Sequence, residues 1–403
     1  MTNPIEILKP LRRNIDSIIG EKELLAQLAT GKSLRIKFGV DCTAPDLHLG
    51  HAVNLWMMRH LQEHGHRVVL LLGDTTTRIG DPTGKSETRP LLSWDEIDRN
   101  ALAFIEQASL VLRTEPEVFE VRRNSEWFDV MPVTELLLLF SMTTVAHLMG
   151  RDMFRVRMAA GREIALHELT YPVLQGYDSF AMGSDLTIVG SDQLFNELMG
   201  RHYQQRLGAT PQTLITTRIT PGLDGGPKQS KSLGNYVALL DGPTEKFGKL
   251  MSLPDILVEE WATAYTDLAE KDIRRLAAKV MMRGVAARDA KLELAEAIVR
   301  RHHGNEVAIQ GRQAFISTFS EGNEPDQMPV ITVPMGSVLP LDLVRLARPD
   351  LSNGALRRLL IQRAIRVNGK VLVEESRIVL EERAVLRIGP RSWWRVCVER
   401  ERG

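Results

Sequence analysis

The chain has 403 residues, 43% of them hydrophobic and 25% charged, which allows two to four domains with sizeable cores and excludes a largely disordered protein. Fifty-one basic residues balance fifty-one acidic ones, so net charge neither demands nor excludes a nucleic-acid partner, and only its distribution is informative. Cys42 and Cys397 are the only cysteines, which supplies neither a disulfide framework nor a cysteine zinc cluster. Charges interrupt the first twenty residues and the apolar runs, such as VVLLLG and LLLLF, are too short to span a bilayer. A soluble, cytoplasmic protein with no membrane partner is the expectation.

In chain order, the first thirty residues alternate apolar and charged positions at helical spacing, and GKSLRIKFGV reads as a strand. DCTAPDLHLGH is a turn-rich loop, HAVNLWMMRHLQEHG a helix closed by Gly65, and RVVLLLGD a strand buried on both faces. Strand, loop, helix and strand within about forty residues form a βαβ unit, the seed of a parallel sheet. DLTIVG, ending at Gly190, is a further strand followed by a helix. Residues 33–222 therefore read as one α/β domain, with the segments between Ser93 and Glu168 as a helical insertion. After Asn235 three amphipathic segments of period 3.6 predict an all-α domain reaching residue 320. SEGNEPDQMP is a polar linker.

The segment from Pro340 to Gly403 holds fourteen Lys and Arg against eight Asp and Glu, a balance of +6. It reads as a short helix, a basic helix carrying Arg357, Arg358, Gln362 and Arg363, a turn at Asn368–Gly369, and strands AVLRIG and WWRVCVE. The expected fold class is α/β: a Rossmann-like parallel-sheet catalytic domain, then an all-α domain, then a small α+β module. The boundaries are 1–222 for the first, 223–245 for a mobile lysine–serine loop, 246–320, a linker at 321–338, and 339–403.

Gly80 to Ser86 imitates a phosphate-binding P-loop, but that loop needs glycine where Ile79 stands. A tight turn presenting Asp81 and Lys85 is the better reading. His48-Leu49-Gly50-His51 lies at a strand-to-helix junction, where two imidazoles on a first turn face the end of the helix that favours anions. Zinc would need a third ligand, and none stands nearby, so no protein-held metal is expected. Lys228-Gln229-Ser230-Lys231-Ser232 follows GLDGGP as a Gly-rich loop with two mobile ammonium groups. Each motif alone is unremarkable. Together, in this order on this fold, they resemble the paired signature of the class I aminoacyl-tRNA synthetases.

KFGVDCTAPDLHLGH, GDPTGKSETRP, NSEW, YPVLQGYD, GSDQLFN and KQSKS together resemble the bacterial tyrosyl-tRNA synthetase family over nearly the whole chain. The tail resembles its αL-type RNA-binding module. The tryptophanyl sister family typically follows YPVLQ with Ala-Asp rather than Tyr-Asp and lacks that module. The resemblance implies a ligase that activates L-tyrosine with ATP and Mg2+, then charges a tRNA. It implies a homodimer built around ELLLLFSMTTVAHLM, with 246–320 on the anticodon side.

By resemblance, Lys37, Asp81, Tyr171, Gln175, Asp178 and Gln193 form the tyrosine pocket. Asp178 accepts from the phenol, while Asp81, Tyr171 and Gln175 surround the ammonium. Gly39, Asp41, Thr43, His48, Gly50, His51, Gly190, Asp192 and Lys231 hold ATP. His48, His51, Lys85, Arg89, Lys228 and Lys231 serve the transition state, and Arg357, Arg358, Arg363 and Lys370 meet tRNA. The sequence departs from the commonest pattern at Lys37, Cys42, Gln229, Thr76 and Arg78. These departures leave open a duplicated copy with altered substrate tolerance. A non-catalytic RNA-binding regulator is the alternative from another class, although the signature residues such a protein has no need of are all present.

Overall fold

Continuous runs of β-branched residues and leucine form the middle of a six-stranded sheet, because only strands covered on both faces can bury them. In this computed structural model, which describes residues 3–43, 46–81, 92–230, 233–320, 328–334, 336–349, 351–372, 377–380, 383–389 and 392–399, the chain divides into two units, 1–305 and 306–403. The strands of the first unit are β1 (Ile15–Ile19), β2 (Arg35–Asp41), β3 (Arg67–Gly73), β4 (Phe119–Arg123), β5 (Leu186–Gly190) and β6 (Thr213–Thr217), in spatial order β1-β6-β5-β2-β3-β4. All neighbours are parallel except β1, which runs antiparallel to β6 along one edge.

Two expectations need correction. The first thirty residues are not wholly helical, since Ile15–Ile19 is that edge strand. Its alternation is too short to stand out, and its register slips between Ile15 and Ser17. The segment from Ser93 to Glu168 is not a purely helical insertion, because β4 pairs with β3 within it. As an edge strand reading FEVRR, β4 carries charge that a central strand would not tolerate. The β6 strand, TLITT, is buried throughout, and its threonine hydroxyls find partners: Thr216 bonds Ser17, and Thr217 donates to Asn54 Oδ1 at 2.8 Å.

Helices cover both faces. They are α1 (Pro4–Leu8), α2 (Glu21–Ala29), α3 (Leu49–Glu63), α4 (Asp74–Ile79), α5 (Trp94–Ser109), α6 (Ser125–Phe128), α7 (Val133–Ser141), α8 (Val145–Leu148), α9 (Asp152–Ala159), α10 (Leu166–Ala181) and α11 (Leu194–Arg206). The α10–α11 pair meets at glycines. A Cβ on Gly176 would lie 3.0 Å from the Met199 backbone, and one on Gly200 would lie 2.5 Å from Ser179 Oγ. This close approach brings residues of α10 within reach of residues of α11. Beyond the sheet come α12 (Pro243–Met251), α13 (Val258–Tyr265), α14 (Glu270–Met281) and α15 (Gly284–His303), whose core includes Phe247, Trp261, Tyr265 and Ile298.

The second unit opens with α16 (Asn305–Ser320) and continues with β7 (Val330–Pro334), β8 (Ser337–Val338), α17 (Pro340–Ala347), α18 (Asn353–Ile361), β9 (Ile365–Val367), β10 (Lys370–Val371), β11 (Ile378–Val379), β12 (Arg383–Ile388) and β13 (Ser392–Glu399). Five strands form a sheet in the order β10-β9-β12-β13-β7 around Leu343, Leu356, Ile365, Leu386 and Val396. The β7 strand lies parallel to β13, so part of the stretch assigned to the linker belongs to this sheet. Arg363 is also misplaced by the sequence. Helix α18 ends at Ile361 and Arg363 follows it at φ +54°.

Candidate active site

Chain reversal creates the cleft. From β2 the chain moves outward through β3 and β4, then returns to form β5 on the other side of β2. Ligands of open parallel sheets bind at the carboxyl ends of the two strands flanking such a switch point. Here β2 ends at Asp41 and β5 at Gly190, and both line a cleft of 690 Å³. It gathers Lys37, Gly39, Asp41, Thr43, His48, Gly50, His51, Asp81, Tyr171, Gln175, Asp178, Gly190, Asp192, Gln193 and Lys228 from six separate stretches of sequence. Lys85, Arg89 and Lys231 lie outside the described residues. Arg357, Arg358, Arg363 and Lys370 belong to the other unit and are exposed.

The floor of the cleft is ionic. Asp178, on α10 and 3% exposed, accepts from Trp127 Nε1 at 3.0 Å and from Asn124 Nδ2 at 3.4 Å. Burial pushes its carboxyl up to about 7, opposed by the nearby Lys37 charge and by these two hydrogen bonds. Lys37, on β2 and 2% exposed, donates to Ser179 Oγ at 2.7 Å and pairs with Glu197 of α11 at 2.8 Å. Glu197 also accepts from Gln175 Nε2 at 2.8 Å and Gln212 Nε2 at 3.0 Å. A buried carboxylate with three donors is satisfied, and so is the ammonium beside it.

Further along the cleft, Tyr171 donates to Asp41 Oδ2 at 3.1 Å. Burial, reinforced by neighbouring carboxylates, holds its phenol well above its ordinary value and keeps it a donor. Gln193 Nε2 donates to Asp81 Oδ2 at 2.9 Å, and Arg151 lies 3.8 Å from Asp81 Oδ1. Gly39 has no protein atom nearer than 4.0 Å to a built Cβ, so packing within the chain does not demand glycine there.

The histidines form a reciprocal cap on α3. The Gly50 N–H donates to His48 Nδ1 at 3.1 Å, and the His48 N–H donates to His51 Nδ1 at 3.3 Å. A ring nitrogen that accepts carries no proton, so both imidazoles hold theirs on Nε2 when neutral. The caps therefore turn two ring nitrogens into N–H donors at a helix N-terminus, where an anion is favoured. Gly50 is required for it: a Cβ there would stand 2.9 Å from His48 Cε1. Across the cleft Lys228 Nζ lies 3.4 Å from Asp192 Oδ2. The segment after residues 228–232 is tied back to the start of the same helix by Leu49 N–H to Val237 O at 3.0 Å and Leu239 N–H to Leu47 O at 2.8 Å.

Most departures from the family pattern acquire physical reasons. The Cys42 N–H donates to Thr77 Oγ1 at 2.7 Å, a bond that proline, lacking an N–H, cannot make. Its thiol is buried and pushed up to about 12, so it stays neutral. Thr76 donates to Asp41 Oδ1 at 3.0 Å and accepts from Asn124 at 3.0 Å, linking the two ends of the cleft. Gln229 is buried and donates to the Tyr265 hydroxyl at 2.6 Å. The exposed Arg78 lies over the Trp94 ring at 5.0 Å. Sequence reasoning missed Asn124, Trp127, Arg151 and Glu197. The NSEW motif signals the first two; Arg151 and Glu197 sit in no motif quoted above.

In the second unit, Trp393 and Trp394 are neighbours on β13 and so point to opposite faces of the sheet. Trp394 packs on the core, and Trp393 lies beneath Arg387 at 4.6 Å.

Residues 29–320 match the family model described as tRNA synthetases class I (W and Y). The tyrosine–tRNA ligase of Thermotoga maritima is 40% identical over 395 residues, covering 98% of each chain. That of Deinococcus radiodurans is 40% identical over 404 residues, covering 98% of this chain and 97% of its own. Among solved structures, a C-terminally truncated mitochondrial tyrosyl-tRNA synthetase from Aspergillus nidulans has a TM-score of 0.63 at 23% identity, covering 79% of this chain and 95% of its own. The Archaeoglobus fulgidus tyrosyl-tRNA synthetase complexed with L-tyrosine has a TM-score of 0.59 at 22% identity, covering 77% and 99%. At those identities the structures speak for the fold, and the sequence relatives speak for descent. The chain belongs to the class I tRNA synthetases of the tryptophan and tyrosine family.

Proposed function

We propose that this chain is a tyrosine–tRNA ligase: it converts L-tyrosine and ATP to tyrosyl-adenylate and pyrophosphate, then transfers tyrosine to the terminal adenosine of its tRNA. The observation that carries the choice of amino acid is Asp178. A buried carboxylate, held by Trp127 and Asn124 beside the Lys37 ammonium, is an acceptor that a phenol hydroxyl satisfies and a phenyl ring leaves unpaired. Lys37 would face the phenol oxygen. Tyr171, Gln175 and Asp81 would take the ammonium, and Gln193 the carbonyl end.

ATP, as its magnesium complex, is the second substrate. Gly39, Asp41, Gly190 and Asp192 would hold the adenosine, with Thr43, Gly50, His48 and His51 at the phosphates. A tyrosine carboxylate oxygen bonds to the α-phosphorus as the bond to the β-phosphate oxygen breaks, and pyrophosphate leaves with the electron pair. No general base is needed, because the carboxylate is already ionised at neutral pH. Rate comes from alignment and from the Nε2–H donors and lysine-loop ammonium groups, aimed where charge develops. Lys85, Arg89, Lys228 and Lys231 would supply that mobile charge. In the second step an adenosine ribose hydroxyl attacks the tyrosyl carbonyl and AMP departs.

A homodimer fits the surface of the first unit. Of the run Leu136–Phe140 only Leu139 is fully buried, while Leu137 and Leu138 are about 60% exposed beside Val133 and Val145. Burial within one subunit accounts for Leu139 and not for Leu137 and Leu138, which a second copy would cover. Sedimentation at micromolar concentration should give a species of twice the 45.3 kDa chain mass; a monomer alone would remove the dimer. The +6 tail would contact tRNA phosphates through Arg357, Arg358, Arg363 and Lys370, and Trp393 would stack on an unpaired base.

Asp178→Asn should lower kcat/KM for tyrosine about 100-fold in pyrophosphate exchange, the size expected for one buried charged acceptor, while the KM for ATP stays within about threefold. The carboxyl stands at about 7, so its stronger acceptor form is lost as pH falls through that value. The KM for tyrosine should accordingly rise several-fold from pH 8 to pH 6, and that slope should vanish in Asp178→Asn. An unchanged slope would remove Asp178 from the phenol. The sign for stability is opposite: the raised value favours the folded state at low pH, and this contribution is lost as pH rises through about 7.

Ending the chain within residues 321–327 should leave tyrosine-dependent exchange nearly intact and severely reduce tRNA charging. In the full chain, charging should weaken with added salt as phosphate contacts give way to counterions. Loss of exchange in the shortened chain would make the second unit part of the catalytic fold.

A further inference from the structure

Among the described residues, Glu197 faces only donors. Its Oε1 accepts from Gln175 Nε2 at 2.8 Å; its Oε2 accepts from Gln212 Nε2 at 3.0 Å and lies 2.8 Å from Lys37 Nζ. The side chain is 2% exposed and lines the cleft together with Gln175 and Lys37. A carboxylate can only accept, so the Gln175 amide has one permitted orientation, NH2 toward Glu197. Its other end, Oε1, is a buried acceptor with no partner among the described residues. Leaving such an atom unpaired is costly unless a ligand supplies the donor.

We propose that Glu197 is a positioning residue for the amino group of the substrate: by fixing the Gln175 amide it presents Oε1, an acceptor, to the incoming ammonium. This rests on the tyrosine–tRNA ligase function proposed above. The same carboxylate neutralises Lys37 at the phenol end, so one side chain of α11 organises both ends of the pocket. Gln212 is itself held, since Thr187 Oγ1 donates to its Oε1 at 2.9 Å, and Lys37 has nothing to accept with. Among these described neighbours of Glu197, Gln175 is the one able to turn over.

That asymmetry makes Glu197→Gln a specific probe. A glutamine has one acceptor oxygen, which Lys37 and Gln212 will take. Its NH2 then meets Gln175, whose amide must turn over, so that a donor now faces the ammonium. The KM for L-tyrosine in pyrophosphate exchange should rise about tenfold or more, the cost of a charge-assisted hydrogen bond replaced by repulsion. The KM for ATP should not change. The affinity of 3-(4-hydroxyphenyl)propanoate, which is tyrosine without its amino group, reports the loss at the Lys37 end alone and should fall far less than that of tyrosine by calorimetry. A merely structural role would weaken both ligands alike.

Gln175→Met, which removes the acceptor and one donor to Glu197 but leaves the Glu197 pair with Lys37 in place, should show the same pattern and keeps the test open if the first variant fails to fold. Combined, the two changes should cost no more than the larger one. Equal weakening of tyrosine and the propanoate, or no change in either, would overturn the inference. So would unchanged tyrosine KM in Gln175→Met. Failure of the underlying function looks different. Wild-type protein would then activate another amino acid, and the same comparison with that acid and its desamino form would still decide the role of Glu197; no activation of any amino acid would overturn both.

Discussion

Two buried carboxylates and one buried ammonium share the floor of the cleft, and the rest of the site depends on their staying paired. Removing charges from water costs several kcal/mol apiece, recovered only with good geometry and further hydrogen bonds. Lys37 on β2 meets Glu197 from α11 and stands near Asp178 from α10. That meeting requires α10 and α11 to pack closely, which Gly176 against the Met199 backbone and Gly200 against the Ser179 side chain allow. Strand order, helix packing and charge balance are thus one constraint seen at three scales. The incomplete compensation at Asp178 is the useful part, because a carboxyl left near 7 is an acceptor waiting for a proton donor.

The other half of the cleft relies on backbone more than on side-chain charge. Capping turns both histidines into Nε2–H donors above the N-terminus of α3. Preorganised donors need no rearrangement as charge develops, which is how a site without a general base gains rate. The same helix start is hydrogen-bonded to residues 237–239, the strap that follows the lysine loop. Thr76 ties the two halves together, bonded to Asp41 on one side and Asn124 on the other.

What the sequence reveals here follows from where motifs arise. Residues at strand-to-helix junctions, such as His48, Gly50, His51 and Asp192, are legible because close backbone approach and turn chemistry restrict their identity. Tyr171, Gln175 and Asp178 share one helical face and are legible as a set through family resemblance. Glu197 is not, because a glutamate inside an amphipathic helix reads as a solvated residue until the fold places Lys37 against it. The edge strands β1 and β4 escape for a related reason: one face open to water lets Asp16 or Arg122 interrupt the apolar pattern. The end of α18 escapes because the pattern RRLLIQR continues past Ile361, and only the left-handed backbone at Arg363 shows where it stops. Cys42 looks like an isolated oddity in sequence and becomes one end of a hydrogen bond to Thr77 in space.

The most direct test of the central claim, that this floor is built to receive a phenol hydroxyl, is ATP–pyrophosphate exchange with each of the twenty amino acids in turn. Exchange with tyrosine well above that with phenylalanine and every other amino acid is the predicted result. Exchange led by another amino acid, or phenylalanine equal to tyrosine, would contradict it.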